Sequence, residues 1–308
     1  MKSTLLFTLF FTVQLYAKEK IYFISHAGAG DPFWSVGYKG CTQGGKDLQA
    51  NVHFLAPETP NDIARQVELL DAVIASRPDA IALTIPNDLS FSKSLKRAQQ
   101  LKIPVIVVNA KPSFEDKTKN PYLAFIGMDD YQAGRKVAEK AYSSGKINSR
   151  VLIANHQPGH AGLENRQKGI EEFIKEKHIE VDKLDISSDP SAIQTMIESH
   201  LNHSPEIKTV FCLGPQCLHG IGHYFHEKKR DLYLASFDLS TFTLQLIREG
   251  IVAFSLDQQP YTQGYESVSR LLSLLRHHKP PQDLDTGMFF VTKENAHSVS
   301  ELVKKGLR

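Results

Sequence analysis

The residues of this 308-residue sequence with chemistry to offer stand just after short apolar runs. They are Gly28 to Trp34, Pro86-Asn87-Asp88, Asn109, Asp129, Gly159 to Arg166, Gly214 to Gln216, Asp238 and Asp257-Gln258. The set holds carboxylates, amides, one arginine and an aromatic pair, which suits hydrogen bonding and stacking. It lacks the parts of a common catalyst, since the chain has no Gly-x-Ser-x-Gly elbow, no Walker loop and no His-Glu-x-x-His. Gly28-x-Gly30 is not completed as a dinucleotide fingerprint, because Phe33 stands at the third glycine position and Pro32-Phe33-Trp34 brings bulk where a pyrophosphate needs bare backbone. Trp34, the only tryptophan, and Phe33 either stack on a sugar-ring face or another flat ligand, or belong to the core. Arg166, early in a predicted helix, either aims its planar fork at a ligand or lies in solvent. Asp238 is either a helix N-cap or a ligand acceptor.

Two further groups invite a metal or a bridge. His219, His223 and His226 fall at i, i+4 and i+7, on one face of a predicted helix, as a zinc site requires. With no carboxylate fixed beside them, an exposed polar face is the favoured reading. Cys212 and Cys217 flank Leu213-Gly214-Pro215-Gln216, and the spacing leaves open both a disulfide and two buried thiols. Cys41 lies inside the first predicted helix and reads as core.

The elements that position these residues alternate in type. Apolar strands are predicted at 21–24, 52–55, 80–83, 105–108, 122–126, 151–154, 209–212, 232–236, 252–256 and 288–291. Amphipathic helices are predicted between them at 33–48, 61–74, 90–101, 130–143, 161–175, 192–201, 218–226, 241–249 and 261–275, with a last one at 294–304. Asp31 is the expected N-cap of the first, with Pro32 in its opening turn. Strand–helix alternation of this kind means βαβ units and parallel sheets covered on both faces. Roughly ten strands exceed one comfortable open sheet, so two doubly wound α/β units are expected. In such sheets ligands bind beyond the carboxyl ends of the strands.

Composition narrows the class. The formal net charge of +2 argues against a nucleic-acid or membrane-surface binder, and three cysteines exclude a disulfide scaffold or a paired Cys-x-x-Cys zinc module. Lys2, the apolar run 5–15 and Ala17 read as a secretory signal peptide cut after Ala17. That run is too short to span a bilayer, which takes about 20 residues, so a soluble, exported protein is expected.

Taken in order, the strand-end text resembles the type I periplasmic substrate-binding proteins of sugar ABC transporters, the ribose- and galactose-binding family. The carriers are Gly30-Asp31-Pro32-Phe33-Trp34, Ile103-Pro104-Val105-Ile106, Ile126-Gly127-Met128-Asp129-Asp130 and Glu164-Asn165-Arg166-Gln167-Lys168-Gly169. Ser236-Phe237-Asp238, Asp257-Gln258-Gln259-Pro260, Asp285-Thr286-Gly287 and Val291-Thr292-Lys293-Glu294-Asn295 extend the likeness over the whole mature chain. The resemblance implies two doubly wound parallel-sheet lobes joined by three hinge crossovers, one of residues 18–128 plus 259–286 and the other of 129–258 plus 287–308. It implies a periplasmic, monomeric, non-enzymatic receptor with no cofactor, no metal and no nucleic-acid partner. Such a receptor takes a small sugar, sugar derivative or polyol in the interlobe cleft and hands it to a membrane permease. A ligand-sensing co-receptor for a chemoreceptor or sensor kinase uses the same cleft. By resemblance Phe33 and Trp34 stack on the ligand, Asn109 replaces a hydroxyl-binding aspartate, Arg166, Asp238 and Gln258 hydrogen-bond the sugar, and Asp129 at the hinge edge contacts it. Ala110 stands where sugar binders often carry arginine, and Gly214 where an asparagine commonly reaches the ligand. These departures point away from ribose, glucose and galactose.

Overall fold

Runs of buried apolar residues build the two sheets of the molecule. A computed structural model describes residues 18–308 apart from 88, 113–118, 148, 188 and 229; the expected signal peptide and Asp88 lie outside the described residues. The first part of the chain runs β1 (Lys20–Ile24), α1 (Pro32–Asp47), β2 (Asn51–Leu55), α2 (Ile63–Ala75), β3 (Ala80–Leu83), α3 (Ser92–Gln100), β4 (Val105–Val108) and β5 (Phe125–Gly127). It continues α4 (Asp130–Ser143), β6 (Val151–Asn155), α5 (Ala161–Glu176), β7 (Val181–Asp185), α6 (Pro190–His203), β8 (Thr209–Cys212), α7 (Pro215–Glu227), β9 (Tyr233–Phe237), α8 (Thr241–Glu249) and β10 (Val252–Asp257). The last elements are α9 (Pro260–His277), β11 (Leu284–Asp285), β12 (Phe289–Thr292) and α10 (Ala296–Lys304).

Two six-stranded sheets result, in the orders β11-β5-β4-β3-β1-β2 and β12-β10-β9-β8-β6-β7. The first pairs in parallel throughout, whereas β12 lies antiparallel on β10 at the edge of the second. β3, β4, β6 and β8 are buried along their whole length, because helices cover both faces of each sheet. The outer strands β2 and β7 are wetter, and β7 reads Val-Asp-Lys-Leu-Asp. Charges on an edge strand discourage pairing with another chain. They also hide the strand from an apolar pattern, and neither β7 nor the two-residue β11 was among the expected strands.

The two sheets exchange chain three times, after β5, after β10 and between β11 and β12. The crossings are tied to one another. Thr286 donates its N–H to Gly127 O (3.0 Å) and its hydroxyl to Gln258 O (2.9 Å). Asp257 accepts from Arg308 Nη1 at 2.6 Å.

Each sheet carries one very tight helix pair. A Cβ added at Gly40 of α1 would stand 2.1 Å from Tyr261 O of α9, and one at Gly264 of α9 would stand 2.2 Å from Gly37 O of α1. In the same way Gly169 of α5 meets Tyr131 O at 2.1 Å and Gly134 of α4 meets Arg166 O at 2.2 Å. Only hydrogen fits at these contacts. The second pair fixes the height of α5, the helix that carries Arg166. Cys212 and Cys217 form a disulfide across the turn from β8 to α7, with their Cα atoms 5.5 Å apart, within the range a bridge requires. Cys41 is a buried free thiol.

Candidate functional site in the interlobe cleft

The site is made where strand ends of one sheet face strand ends of the other. The chain leaves β4 through Asn109 (φ 63°) and β9 through Asp238 (φ 67°), both in the left-handed region. That conformation is uncommon for residues other than glycine, and it turns the chain sharply at the strand end. Asn109 Nδ2 donates to Gln258 Oε1 (3.0 Å), and Gln258 Nε2 donates to Asp238 Oδ1 (2.7 Å). Asp238 Oδ2 lies 3.7 Å from Arg166 Nη1, while Arg166 Nε donates to Asp130 Oδ1 at 2.7 Å and Nη1 to Leu213 O at 3.1 Å. One polar chain therefore runs from the first sheet, through a crossing, into the second. The guanidinium lies over the Phe237 ring at 4.8 Å, which fixes its plane.

The first lobe adds an aromatic wall. Asp31 caps α1 as expected, Oδ1 accepting from Phe33 N (2.9 Å) and Trp34 N (3.1 Å). Its other oxygen accepts from Gln216 Nε2 across the cleft (3.2 Å). Trp34 is only 3% exposed and sits among Phe23, Phe33 and His26. Its indole N–H donates to His26 Nε2 (3.4 Å), so His26 carries its proton on Nδ1 and gives it to Thr84 Oγ1 (3.1 Å). From the other lobe His160 caps α5, Nδ1 accepting from Leu163 N at 3.4 Å, and its ring meets that of His26 with centroids 4.7 Å apart. Ala161 N donates to Pro86 O (2.9 Å), so backbone also joins the lobes beside the cavity. The lobes are thus closed on each other, around ≈ 420 Å³ of space not filled by atoms, some of it continuous with solvent.

Six of the seven expected residues line this one cavity: Phe33, Trp34, Asn109, Arg166, Asp238 and Gln258. Asp129 does not. It is exposed and spends its carboxylate on the α4 N-terminus, accepting from Gln132 N (3.0 Å). One residue advances a helix by about 100°, and Asp130 is the acid that reaches Arg166. Beyond the expected set the cavity is lined by His26, His156, His160, Gln157 and Gln216. His26 follows β1 by two residues and His156 follows β6 directly, so the strand-end rule applied to histidine would have found both.

Electrostatics make the cavity a neutral-to-acidic one. Burial pushes the Asp238 carboxyl up to about 6, against the pull of Arg166 and of the Gln258 hydrogen bond. Burial also raises Asp31, against its two backbone donors. His26 and His156 are driven down to about 3 by burial, helped by His156 and Arg166 respectively, and His160 is held well below its ordinary range. All three imidazoles are therefore neutral at pH 7. Arg166, the one cation among the described residues lining the cavity, is shared by two carboxylates.

The expected histidine stripe lies elsewhere. His219 stacks on Phe242 with centroids 4.8 Å apart, and His223 Nδ1 lies 3.8 Å from Glu249 Oε2. Among the described residues no three His, Cys, Asp or Glu side chains are grouped to hold a metal ion, and no helix is long and apolar enough to cross a membrane.

Comparison with known proteins agrees with this architecture. Residues 21–279 match the family model described as periplasmic binding protein domain. The chain is 29% identical over 290 residues to the xylose/arabinose-binding protein XylF of Sulfolobus acidocaldarius, covering 90% of this chain and 71% of that one. A periplasmic sugar binding protein of an ABC sugar transporter from Legionella pneumophila superposes with a TM-score of 0.83 at 37% identity, over 88% of this chain and all (100%) of the other. A carbohydrate transporter protein from Acidothermus cellulolyticus, solved in complex with myo-inositol, superposes with a TM-score of 0.85 at 27% identity, over 95% and 100% of the two chains. Fold, strand-end text and family match converge: the chain belongs to the periplasmic binding protein family, among the type I substrate-binding proteins of sugar ABC transporters.

Proposed function

We propose that this protein is an exported receptor that captures a small, uncharged polyhydroxylated ligand between its lobes and delivers it to an ABC transporter permease. The observation that carries the reading is the polar chain Asn109–Gln258–Asp238–Arg166 facing the Phe33–Trp34 wall across one cavity. Hydroxyls both donate and accept, and so match alternating amides, carboxylates and imidazoles, while aromatic rings cover the apolar face of a sugar ring. A charged acid fits poorly, since Arg166 is already bound to Asp130 and the three histidines are neutral. The names of the relatives, with xylose, arabinose and inositol among the ligands, support the class. Export rests on the signal-peptide pattern of residues 1–17. The lobes we propose are 18–128 with 259–286 and 129–258 with 287–308, opening about the three crossings to admit ligand.

Isothermal titration of the folded protein against pentoses, hexoses, inositols, uronic acids and sugar phosphates tests this. Saturable binding of a neutral member, with acids at least tenfold weaker, is expected. Folded protein that binds none of the neutral members overturns the reading.

A further inference from the structure

Gly214 follows β8 at the cleft, and a Cβ built on it would stand 2.4 Å from His156 Cε1 and 3.0 Å from His156 Nε2. The imidazole thus fills the volume that a side chain at 214 would enter. His156 comes from a different strand end, directly after β6, and lines the cavity. Its Nδ1 is buried and has no hydrogen-bond partner among the described residues, and the same is true of Gln216 Oε1. The two groups are neighbours, since Gln216 Oε1 lies 3.1 Å from that same Cβ position. One amide hydrogen of Gln216 is already given to Asp31, which anchors the side chain with its oxygen beside the glycine. Buried polar groups are ordinarily paired. Two unpaired ones beside a single glycine, in a cavity lined by both residues, call for a group that pairs with both.

We propose that His156 is a specificity-determining residue of this cleft: the bare Gly214 leaves room for its ring, and the ring, with Gln216, reads two neighbouring hydroxyls of the ligand. The assignment rests on the polyhydroxylated-ligand reading above. Because Arg166 and burial keep the ring uncharged, one nitrogen donates and the other accepts, so the ring can serve a hydroxyl in either role. Gln216 Oε1 only accepts and therefore selects a hydroxyl that donates. A ligand lacking the diol edge leaves both groups unpaired, which is how a hydrogen-bonding site discriminates strongly.

The test is titration of the full chain with D-xylose, L-arabinose, D-arabinose, D-ribose, myo-inositol and D-glucose, for wild type, His156→Ala, His156→Gln, Gly214→Ala and the His156→Ala/Gly214→Ala double variant. Circular dichroism of each variant establishes that it is folded, and His156→Gln carries the test where His156→Ala is not. Expected is about a tenfold loss for the sugar that wild type binds best, a change in the order of preference, and partial retention in His156→Gln. Gly214→Ala weakens binding in the wild-type background, where its methyl displaces the ring, and has no further effect once His156 is alanine. Wild-type binding with all six affinities within twofold in His156→Ala and His156→Gln overturns the assignment alone. An equal cost of Gly214→Ala in both backgrounds does the same. No binding of any of the six by wild type overturns this assignment, and the remaining neutral pentoses, hexoses and inositols of the titration above then decide the fate of the broader reading.

Discussion

The two lobes share a plan and differ in chemistry. Each sheet contains the order second-first-third-fourth-fifth strand: β2-β1-β3-β4-β5 in one, β7-β6-β8-β9-β10 in the other. Each is tightened by one helix pair whose glycines touch backbone, α1 with α9 and α4 with α5. Yet the first lobe presents to the cleft an aromatic wall on a capped helix, Phe33 and Trp34 behind Asp31. The second presents a buried ion network, Asp130–Arg166–Asp238, with His156 and His160. The topology puts strand ends opposite each other whatever residues they carry. The residues then decide that one lobe offers ring faces and the other directed hydrogen bonds. A ring-shaped polyol needs both.

The comparison is most sharply broken at its charged half. Arg166→Ala leaves Asp130 and Asp238 buried without their cation, and removing one partner of such a pair costs about 3–5 kcal/mol. Urea denaturation of the ligand-free protein is expected to show a loss of that size together with loss of sugar binding. A change below about 1 kcal/mol would mean that the network is solvated. Trp34→Ala attacks the aromatic half. It is expected to cost about 3–5 kcal/mol from lost packing, and, because it uncovers the buried His26, the variant should lose less stability on acidification than wild type does.

The shared plan is probed by Gly40→Ala and Gly169→Ala, one in each lobe. Both place a methyl against a carbonyl oxygen at 2.1 Å, and overpacking of this kind costs about 1–3 kcal/mol. Equal thermal destabilisation is expected, with Gly169→Ala shifting α5 and Arg166 and Gly40→Ala shifting α1 and the Phe33–Trp34 wall. Each should weaken ligand binding beyond the stability effect, as titration would show.

Acid distinguishes the histidines from the carboxylate. His156 is held near 3 in the fold and titrates near 6.5 when unfolded, so between those values the unfolded chain takes up a proton that the native one refuses. Stability from this group is complete above about 6.5 and falls as pH drops, by about 1.4 kcal/mol per pH unit well below that value. Wild type should therefore lose stability relative to His156→Gln on acidification. Asp238 has the opposite sign. Its carboxyl is raised to about 6 from 3.8, so the native state holds a proton that the unfolded state has lost between those values. Wild type should gain relative to Asp238→Asn as pH falls through that window. Denaturant midpoints at pH 7, 6, 5 and 4 check both slopes.

The smallest effect is expected at Asp129. Its carboxylate caps α4 and lies outside the cavity, so Asp129→Ala should cost about 1 kcal/mol of stability and leave ligand affinity within twofold. A large loss of affinity would return Asp129 to the site.

Much of the fold was legible in the chain, because helix and strand periods and caps are local. Val105–Val108, Thr209–Cys212, Asp130–Ser143 and Thr241–Glu249 have the bounds read from the pattern, and Asp31 caps the helix it was expected to cap. The charged edge strand β7 was not legible, since its stability comes from pairing with β6 rather than from its own apolar residues.

The site divides along the same line. The residue types and strand-end positions of Phe33, Trp34, Asn109, Arg166, Asp238 and Gln258 are properties of the sequence, and their neighbourhood follows from the parallel-sheet rule. Only the tertiary structure decided that Asp130 rather than Asp129 holds Arg166 and that Cys212 and Cys217 are bridged. It also brought His26, which follows β1, together with His156 and His160, which both follow β6, in one cavity with Trp34. The reason is physical. Which way a side chain points about a helix start, and which distant strand end it meets, are fixed by packing against partners far away in the chain, and no local periodicity encodes that.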